Sequence, residues 1–422
     1  MRLEIMERII EIKDGLVPLG YKKTKVGIIP NEWEVKKLKD LLRFQNGVNA
    51  DKEQYYNGKK MISVIDVLSN RPIYYNTIKG HVNIDEQKLK KYGVTYGDIL
   101  FQRSSETFED VGKSNVYLDQ EKVATFSGFV IRGKKIGKYH PIYFNELLKT
   151  QMIRKQIIRS AAGSQHVNIS QDSLSKIMIY IASLDEQKKI AEILSIQDNM
   201  IELKDKLISE KKKEKKYLRQ LLLAGKIQPE SFKGGWKKVK LKKYLIECVE
   251  RNKNLNINNV LSVNNKLGFI KQKEQFSKTV ASKDLSNYKI ISKNYIAYNP
   301  SRINVGSVAI YKEENQGIVS PMYVVLKTTL GLNDHYFIEF TKSHLFTQQM
   351  KSFLSGSVRN SLSFNDICNM YIVLPSIEEQ VAIVDVLSTA DKEIELLEKE
   401  LEQEKQKKKA LMQLLLTGIV RV

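Results

Sequence analysis

The stretches "SLDEQKKIAEILS" (183–195) and "SIEEQVAIVDVLS" (376–388) spell the same helix start twice, with Gln187 and Gln380 lying 193 positions apart. Sliding the chain against itself by that period gives a gapless match from about Ala124 to Ile227. A period this long marks duplicated domains rather than a solenoid of small repeats. Agreement within it is uneven. From Ser183 to Ile227, 20 of 45 positions coincide with their partners, whereas upstream only anchors do: Gly163-Ser164 with Gly356-Ser357, Ser127 with Ser320, Tyr143-Phe144 with Tyr336-Phe337. One part of the duplicated unit is held alike and another varies.

The part held alike is helical. Ile383, Leu387, Ala390, Ile394, Leu397, Leu401, Leu411 and Leu415 fall on alternating four and three spacing, which is a heptad seam. Ile190, Leu194, Ile201, Ile208, Leu218 and Leu222 keep the matching register in the first copy. Ser183 and Ser376 stand as N-caps, with Glu186 and Glu379 three residues on as capping-box partners, and Gly225 and Gly418 stand where helices stop. Forty helical residues at ~1.5 Å each make a rod of roughly 60 Å, too long to be packed inside a small globule. Two such rods with apolar seams are expected to pair with each other. Because the first feeds a second globule that feeds the second rod, the pairing is expected to be antiparallel, about a pseudo-twofold axis.

Each globule opens with a tryptophan and an amphipathic stretch, "NEWEVKKLKDLL" (31–42) and "GGWKKVKLKKYL" (235–246), which read as one element seen twice. Short alternating runs follow ("VTYGDILFQRS", "ATFSGFVIRG", "NYIAYNP", "GSVAIYKE"), broken by Gly, Asn and Asp, as strands with loops should be. One short helix is expected over "YFNELLKTQMIRKQIIR" and another over "YFIEFTKSHLFTQQMKSFL". The fold class is therefore α+β: two similar mixed globules joined by two long helices forming an antiparallel coiled coil. The expected divisions are a 1–20 extension, a first globule over 21–182, a first helix over 183–227, a second globule over 228–375, and a second helix and tail over 376–422.

The 422 residues are enough for two or three domains, each with its own core. Two cysteines, Cys248 and Cys368, are too few and too far apart for a disulfide framework or a CxxC metal site; they read as buried small hydrophobes in a reducing cytoplasm. The opening "MRLEIMERIIEIKDG" lacks the apolar run of a signal peptide, and no later stretch is long enough to span a bilayer, so a soluble chain is expected. A formal charge of +21 points to a polyanionic partner, nucleic acid first, since lysines and arginines that neutralise phosphates release condensed counterions. The run "EKKKEKK" (210–216) reads as a solvated helix face rather than a binding patch.

Polar and basic residues interrupt the strands at "FQRSSETFEDVGKSN" (101–115), "YNPSRINVGS" (298–307), "GSQHVNIS" (163–170) and "GSVRNSLS" (356–363). These supply the donors and acceptors that base edges and phosphates require. The candidate contacts are Arg103, Ser104, Lys113, His166 and Asn168 in the first globule, and Asn299, Arg302, Arg359 and Asn360 in the second.

Signs of catalysis fail on inspection. "VGKSN" (111–115) resembles the end of a phosphate-binding loop, but Thr107 occupies the place of the required glycine. "YNPSR" departs from an amino-methyltransferase motif at Ser301, and no glycine-rich nucleotide site precedes it. The five histidines show no paired metal-ligand spacing, no nucleophile elbow occurs, and neither a catalytic nor a metal site is expected. Three readings stand at this point: a noncatalytic DNA-reading chain, a structural coiled-coil adaptor without a DNA role, and a self-contained DNA-modifying enzyme.

The arrangement resembles the DNA-specificity subunit of type I restriction-modification systems. The resemblance rests on "GYKKTKVGIIPNEWEVKKLKDLL", "YGDILFQR", the Gly-Ser loops, and the paired "SLDEQKKIAEIL" and "SIEEQVAIVDVL" starts, which cover nearly the whole chain in the family's order. It implies a pair of target-recognition domains, each reading one half of a bipartite asymmetric sequence in double-stranded DNA, with the helices setting the unread gap. It further implies docking of two methylation subunits and of restriction (motor-nuclease) subunits. No cofactor is expected in this chain; the partners would use S-adenosylmethionine, ATP and Mg for adenine-N6 methylation and ATP-dependent cleavage. Two departures from the pattern are the N-terminal extension of roughly 20 residues and Ala182-Ser183, where the second copy has Pro375-Ser376. The latter predicts a looser helix start in the first copy.

Overall fold

The computed structural model describes every residue except 1, 164–165, 266, 273–283 and 355–360. Contacts divide the chain into two compact units, residues 1–204 with 400–422 and residues 205–399. The division falls inside both long helices, Leu184–Leu223 and Ile377–Leu416, so each unit owns part of each.

In the first unit the helix segments run antiparallel. Gln197 donates to the Glu404 carboxylate at 2.7 Å, Lys204 meets Glu400 at 2.6 Å, and Lys408 meets Asp198 at 2.7 Å. In the second unit Lys211 meets Glu393 at 3.0 Å, Lys212 meets Glu398 at 2.6 Å, and Lys215 pairs with Asp391. The partners advance along one helix as they retreat along the other. Every seam residue is buried or half-buried in its own unit: Ile190, Leu194, Ile201, Leu401, Leu411 and Leu415 in the first, Ile208, Leu218, Leu222, Ile383, Leu387, Ile394 and Leu397 in the second. The 210–216 lysine run is not the wholly solvated face expected of it. Lys215 is buried, and together with Lys211 and Lys212 it reaches across to the neighbouring helix.

The helix starts are tied down by a construction repeated in both units. Ser183 Oγ accepts from the Glu186 amide and Ser376 Oγ from the Glu379 amide, each at 3.3 Å, as N-caps do. The reciprocal half of the expected capping box is replaced by something else. The buried Glu186 carboxylate accepts from the Trp33 indole at 2.9 Å and from Arg421 at 2.6 Å. Likewise Glu379 accepts from the Trp236 indole at 3.1 Å and from Gln228, which stands one period before Arg421, at 3.0 Å. A buried carboxylate needs charge-assisted or N–H donors, and the tryptophan that opens each globule supplies one. The adjoining glutamine closes the joint. Gln187 accepts from the His140 amide and donates to Ala182 O, both at 2.8 Å, while Gln380 accepts from the Asn333 amide at 2.9 Å and donates to Pro375 O at 3.1 Å. The Ala182-Ser183 start thus keeps the same cap and joint as its Pro375-Ser376 counterpart, where Gln380 makes one bond more, to Gly331 O at 3.0 Å.

Strand Glu34–Lys37 pairs antiparallel with Met178–Ile181, the strand that feeds the first long helix, and Lys237–Lys240 pairs in the same way with Tyr371–Leu374. The two opening stretches are therefore strand plus short 3-10 turn, one element seen twice. Beside them each unit has a four-stranded antiparallel sheet of the same order: Leu42–Asn46, Val130–Lys135, Ile99–Gln102, Ser114–Val116 in the first, and Leu245–Glu247, Val324–Thr328, Ile296–Tyr298, Val308–Ile310 in the second. The further sheets differ, with three strands around Tyr55–Ile62 in the first unit and four around Val260–Asn264 in the second. Where one helix was expected in each globule there are two: Pro141–Leu148 with Gln151–Arg159, and Asp334–Thr341 with His344–Leu354. Ser343 Oγ accepts the Phe346 amide at 3.2 Å and so begins a second helix.

The 1–20 extension forms a helix, Arg2–Lys13, fastened to the C-terminal tail by Arg8 donating to Ile419 O at 2.7 Å; just beyond it, Tyr21 donates to Gly418 O at 2.6 Å. Of the cysteines, Cys368 is buried, but Cys248 is only half-buried, so the expectation of two buried thiols holds for one; both are free.

Gly418 and Gly225 end the long helices in the left-handed region, at φ +73° and +64°. A Cβ on Gly418 would lie 2.6 Å from Pro30 Cγ and 3.2 Å from the Trp33 ring, whereas one on Gly225 would meet only the Trp236 ring, at 3.2 Å. Gly418→Ala should therefore cost about 2–3 kcal/mol and Gly225→Ala about 1–2 kcal/mol, from left-handed strain plus overpacking. Urea midpoints of the two variants check this; a costlier Gly225→Ala would contradict it.

Candidate functional site

In the first unit two of the polar stretches are brought together by the backbone. Strand Ile99–Gln102 leaves its sheet at Arg103, and Ser104–Ser105 pairs antiparallel with Val167–Asn168, Asn168 opposite Ser104. The Ile169 amide donates to Arg103 O at 3.0 Å, and Ala162 and Asn168 exchange backbone bonds of 3.0 and 2.8 Å. Side chains follow the same pattern. Ser104 Oγ donates to Asn168 Oδ1, whose own amide group donates to His166 O at 3.0 Å. Arg103 is half-buried, with one guanidinium nitrogen donating to Gly128 O at 3.2 Å. A guanidinium has five donors, so this one bond leaves most of its capacity for a ligand in the groove it lines.

That groove, about 530 Å³, is lined by Arg103 and Asn168 together with Asn46, Gln171 and Ser173. In the orientation that satisfies its neighbours, the Gln171 carboxamide donates to Phe44 O at 3.0 Å and accepts from Asn46 Nδ2 at 3.2 Å. Asn46 and Gln171 were not among the candidates read from sequence. Asn46 ends a strand, and Gln171 begins a short helix directly after the 163–170 stretch.

Lys113 is placed differently from Arg103. Its ammonium lies 2.5 Å from the Asp110 carboxylate, and that bond holds the Asp110 carboxyl below its ordinary range. Arg154, read only as part of a helix, buttresses the 101–115 segment by donating to Glu109 O and Val111 O at 2.9 and 2.8 Å. His166 is exposed beside the paired strands.

The second unit repeats one bond of this construction. The Leu362 amide, one period on from Ile169, donates to Pro300 O at 3.0 Å, and Tyr298 donates its hydroxyl to Leu362 O at 3.2 Å. Arg302 is exposed and opens a 3-10 turn, Ile303–Val305, ended by Gly306 at φ +89°. Asn299 is buried; its side-chain oxygen accepts from the Ser301 amide at 3.1 Å, so it shapes the turn. Arg359 and Asn360 lie outside the described residues, as do Ser164 and the Gly356-Ser357 pair.

Among the described residues no group of three or more His, Cys, Asp or Glu is placed to hold a metal ion, and no helix is long and apolar enough to cross a membrane. The first unit thus presents a strand exit and a second loop joined edge to edge and dressed with donors and acceptors, and in the second unit the Leu362–Pro300 bond joins the corresponding segments.

Comparison with known proteins agrees on one family. A family model for the type I restriction modification DNA specificity domain matches twice, over residues 30–213 and 233–406. A Methanocaldococcus jannaschii protein assigned as the type I restriction enzyme MjaX specificity subunit is 28% identical over 435 residues, covering 96% of this chain and 97% of that one. The MjaVIII specificity subunit of the same organism is 30% identical over 217 residues, covering 50% of this chain and 49% of that protein. A solved structure described under complex assembly and conformational transition of the type I R-M system superposes at a TM-score of 0.57 with 12% identity, covering 93% of this chain and 99% of that one, which shows a shared fold.

Proposed function

The chain belongs to the DNA-specificity subunit family of type I restriction-modification systems, and from that premise we propose that each unit reads one half of a bipartite DNA sequence through its joined pair of loops. The family is noncatalytic, its chemistry lying in partner subunits. In the first unit the reading surface comprises Arg103, Ser104, Lys113, His166 and Asn168; in the second it comprises Arg302 with Arg359 and Asn360, supported by Asn299. The observation that carries this is the backbone bond from Ile169 to Arg103, repeated from Leu362 to Pro300 at the same point of the duplicated unit. Two unlike loops on one scaffold, made twice, suit two unlike half-sites.

On this reading the globules over 21–182 and 228–375 recognise DNA, and the number of residues in the paired helices sets the unread gap. Two methylation subunits and the restriction subunits dock on the chain, supplying S-adenosylmethionine-dependent adenine methylation and ATP- and Mg-dependent cleavage. The double match of the family model and the relatives' names support this assembly.

Arg103→Ala, in complex with the partner subunits, should relax selectivity at one half-site by about 1–3 kcal/mol per base read, leaving the other half-site unchanged. Arg302→Ala should do the converse. Binding to duplexes randomised in one half at a time checks this. A loss uniform over all sequences would instead make these residues phosphate contacts.

A further inference from the structure

The strand that opens each globule differs in charge between the units. Matched through their pairing with Met178–Ile181 and Tyr371–Leu374, Glu34 corresponds to Lys237, Val35 to Lys238 and Asp40 to Lys243, while Lys37 and Lys39 correspond to Lys240 and Lys242. "EVKKLKD" (34–40) is thereby nearly balanced and "KKVKLKK" (237–243) is not. In the first unit the lysines also have acids beside them. Lys36 meets Glu34 at 2.7 Å, the Lys37 amide donates to Asp40 at 2.8 Å, and on the neighbouring helix Lys176 meets Asp172 at 2.6 Å. In the second unit Lys237, Lys238, Lys240, Lys242 and Lys243 are all exposed, and none has a carboxylate partner among the described residues. Two of them, Lys238 and Lys240, lie over the face of the half-exposed Tyr371 at 4.9 and 5.7 Å.

The patch is close to the second unit's reading loops. The Leu241 amide donates to Met370 O at 3.0 Å, and Met370 ends the helix Phe364–Asn369 that begins directly after Leu362 and Ser363. Six helical residues span about 9 Å, between two and three phosphates' worth of rise along a DNA strand at roughly 3.4 Å each. Five ammonium groups with no acid to neutralise them repel one another, and an anionic rod beside them removes that repulsion while releasing counterions.

Resting on the reading proposed above, we infer that residues 237–243 form a phosphate-binding edge that grips the DNA backbone flanking the half-site read by the second unit, and that the first unit lacks its equivalent. The edge adds affinity without adding sequence preference.

The test uses the full chain assembled with its partner subunits and a Lys238→Gln/Lys240→Gln/Lys243→Gln variant, titrated against a target duplex and an unrelated duplex over a range of salt concentration. The expected result is a log–log salt slope shallower by about 2–3, with both duplexes weakened by the same factor and the recognised motif unchanged. The single Lys243→Gln variant should remove about one unit of slope, which guards against a folding defect in the triple variant. An unchanged slope, with sequence-specific binding intact in the parent complex, overturns the inference and leaves the reading standing. Loss of partner assembly with an unchanged slope in whatever complex forms also overturns it, making the edge a protein-docking face. A parent complex with no sequence preference overturns both.

Discussion

Trp33→Ala is expected to cost about 4 kcal/mol of folding stability, more than any other single truncation at the two helix starts, because it opens a cavity in the core and removes a donor from a buried carboxylate. Trp33 is fully buried, with its ring 5.5 Å from that of Tyr180 and its indole nitrogen 2.9 Å from Glu186. Its counterpart Trp236 makes the same bond to Glu379 but is only half-buried, so Trp236→Ala should cost about 2 kcal/mol. Trp33→Phe separates the two contributions. It keeps most of the packing and loses the N–H, for an expected loss of about 1–2 kcal/mol. Urea unfolding followed by circular dichroism gives all three numbers, and a Trp236→Ala loss exceeding that of Trp33→Ala would contradict the ranking.

Glu339→Ala should destabilise by about 3–5 kcal/mol, since it leaves the largely buried Arg219 guanidinium without its acid. Glu339 holds Arg219 at 2.7 Å and Lys342 at 2.7 Å, joining the Asp334–Thr341 helix to the first long helix. One period earlier Glu146 holds Lys149 at 2.5 Å and Lys408 at 3.4 Å in the first unit. Burial by itself would raise both carboxyls; the neighbouring cations more than offset it, and both are held below the ordinary carboxylate range. A depressed folded-state value means stability that is fully present above the unfolded value, near pH 4–5, and is lost as pH falls through the folded one. Wild-type stability should therefore drop below about pH 4–5 more steeply than that of Glu339→Ala. The double variant Glu339→Leu/Arg219→Met should recover most of the loss at neutral pH, because replacing both charges with apolar groups leaves neither orphaned. No recovery would show that the pair stabilises beyond the cost of leaving one charge alone.

The duplication, the seam and the helix stops were legible because they depend on local periodicity and on glycine at left-handed positions. The joint at the helix start was half legible. Trp33, Glu186 and Gln187 are all visible in the sequence, but Ser183 offered Glu186 a nearer partner, and only the folded chain shows the carboxylate turning to an indole 153 residues away. The split of each expected helix was missed for a similar reason: with no Gly or Pro to mark it, the break rests on Thr150 and on the Ser343 cap. The polar stretches of the first unit were legible as interruptions of strands, yet their edge-to-edge joining is a backbone contact across more than 60 residues, which periodicity does not encode. Asn46 and Arg154 sit in regular elements and gave no signal of that kind, and Gln171 lies one residue past the stretch that was singled out.

The most direct measurement is a single-base map of N6-methyladenine in a host carrying the partner subunits with and without this chain. Methylation confined to one asymmetric, gapped motif, present only with the chain and degenerate in one half when Arg103 is replaced by Ala, is the predicted result. Methylation at the same sites without the chain, or a single ungapped motif with it, would contradict the assignment of two reading units.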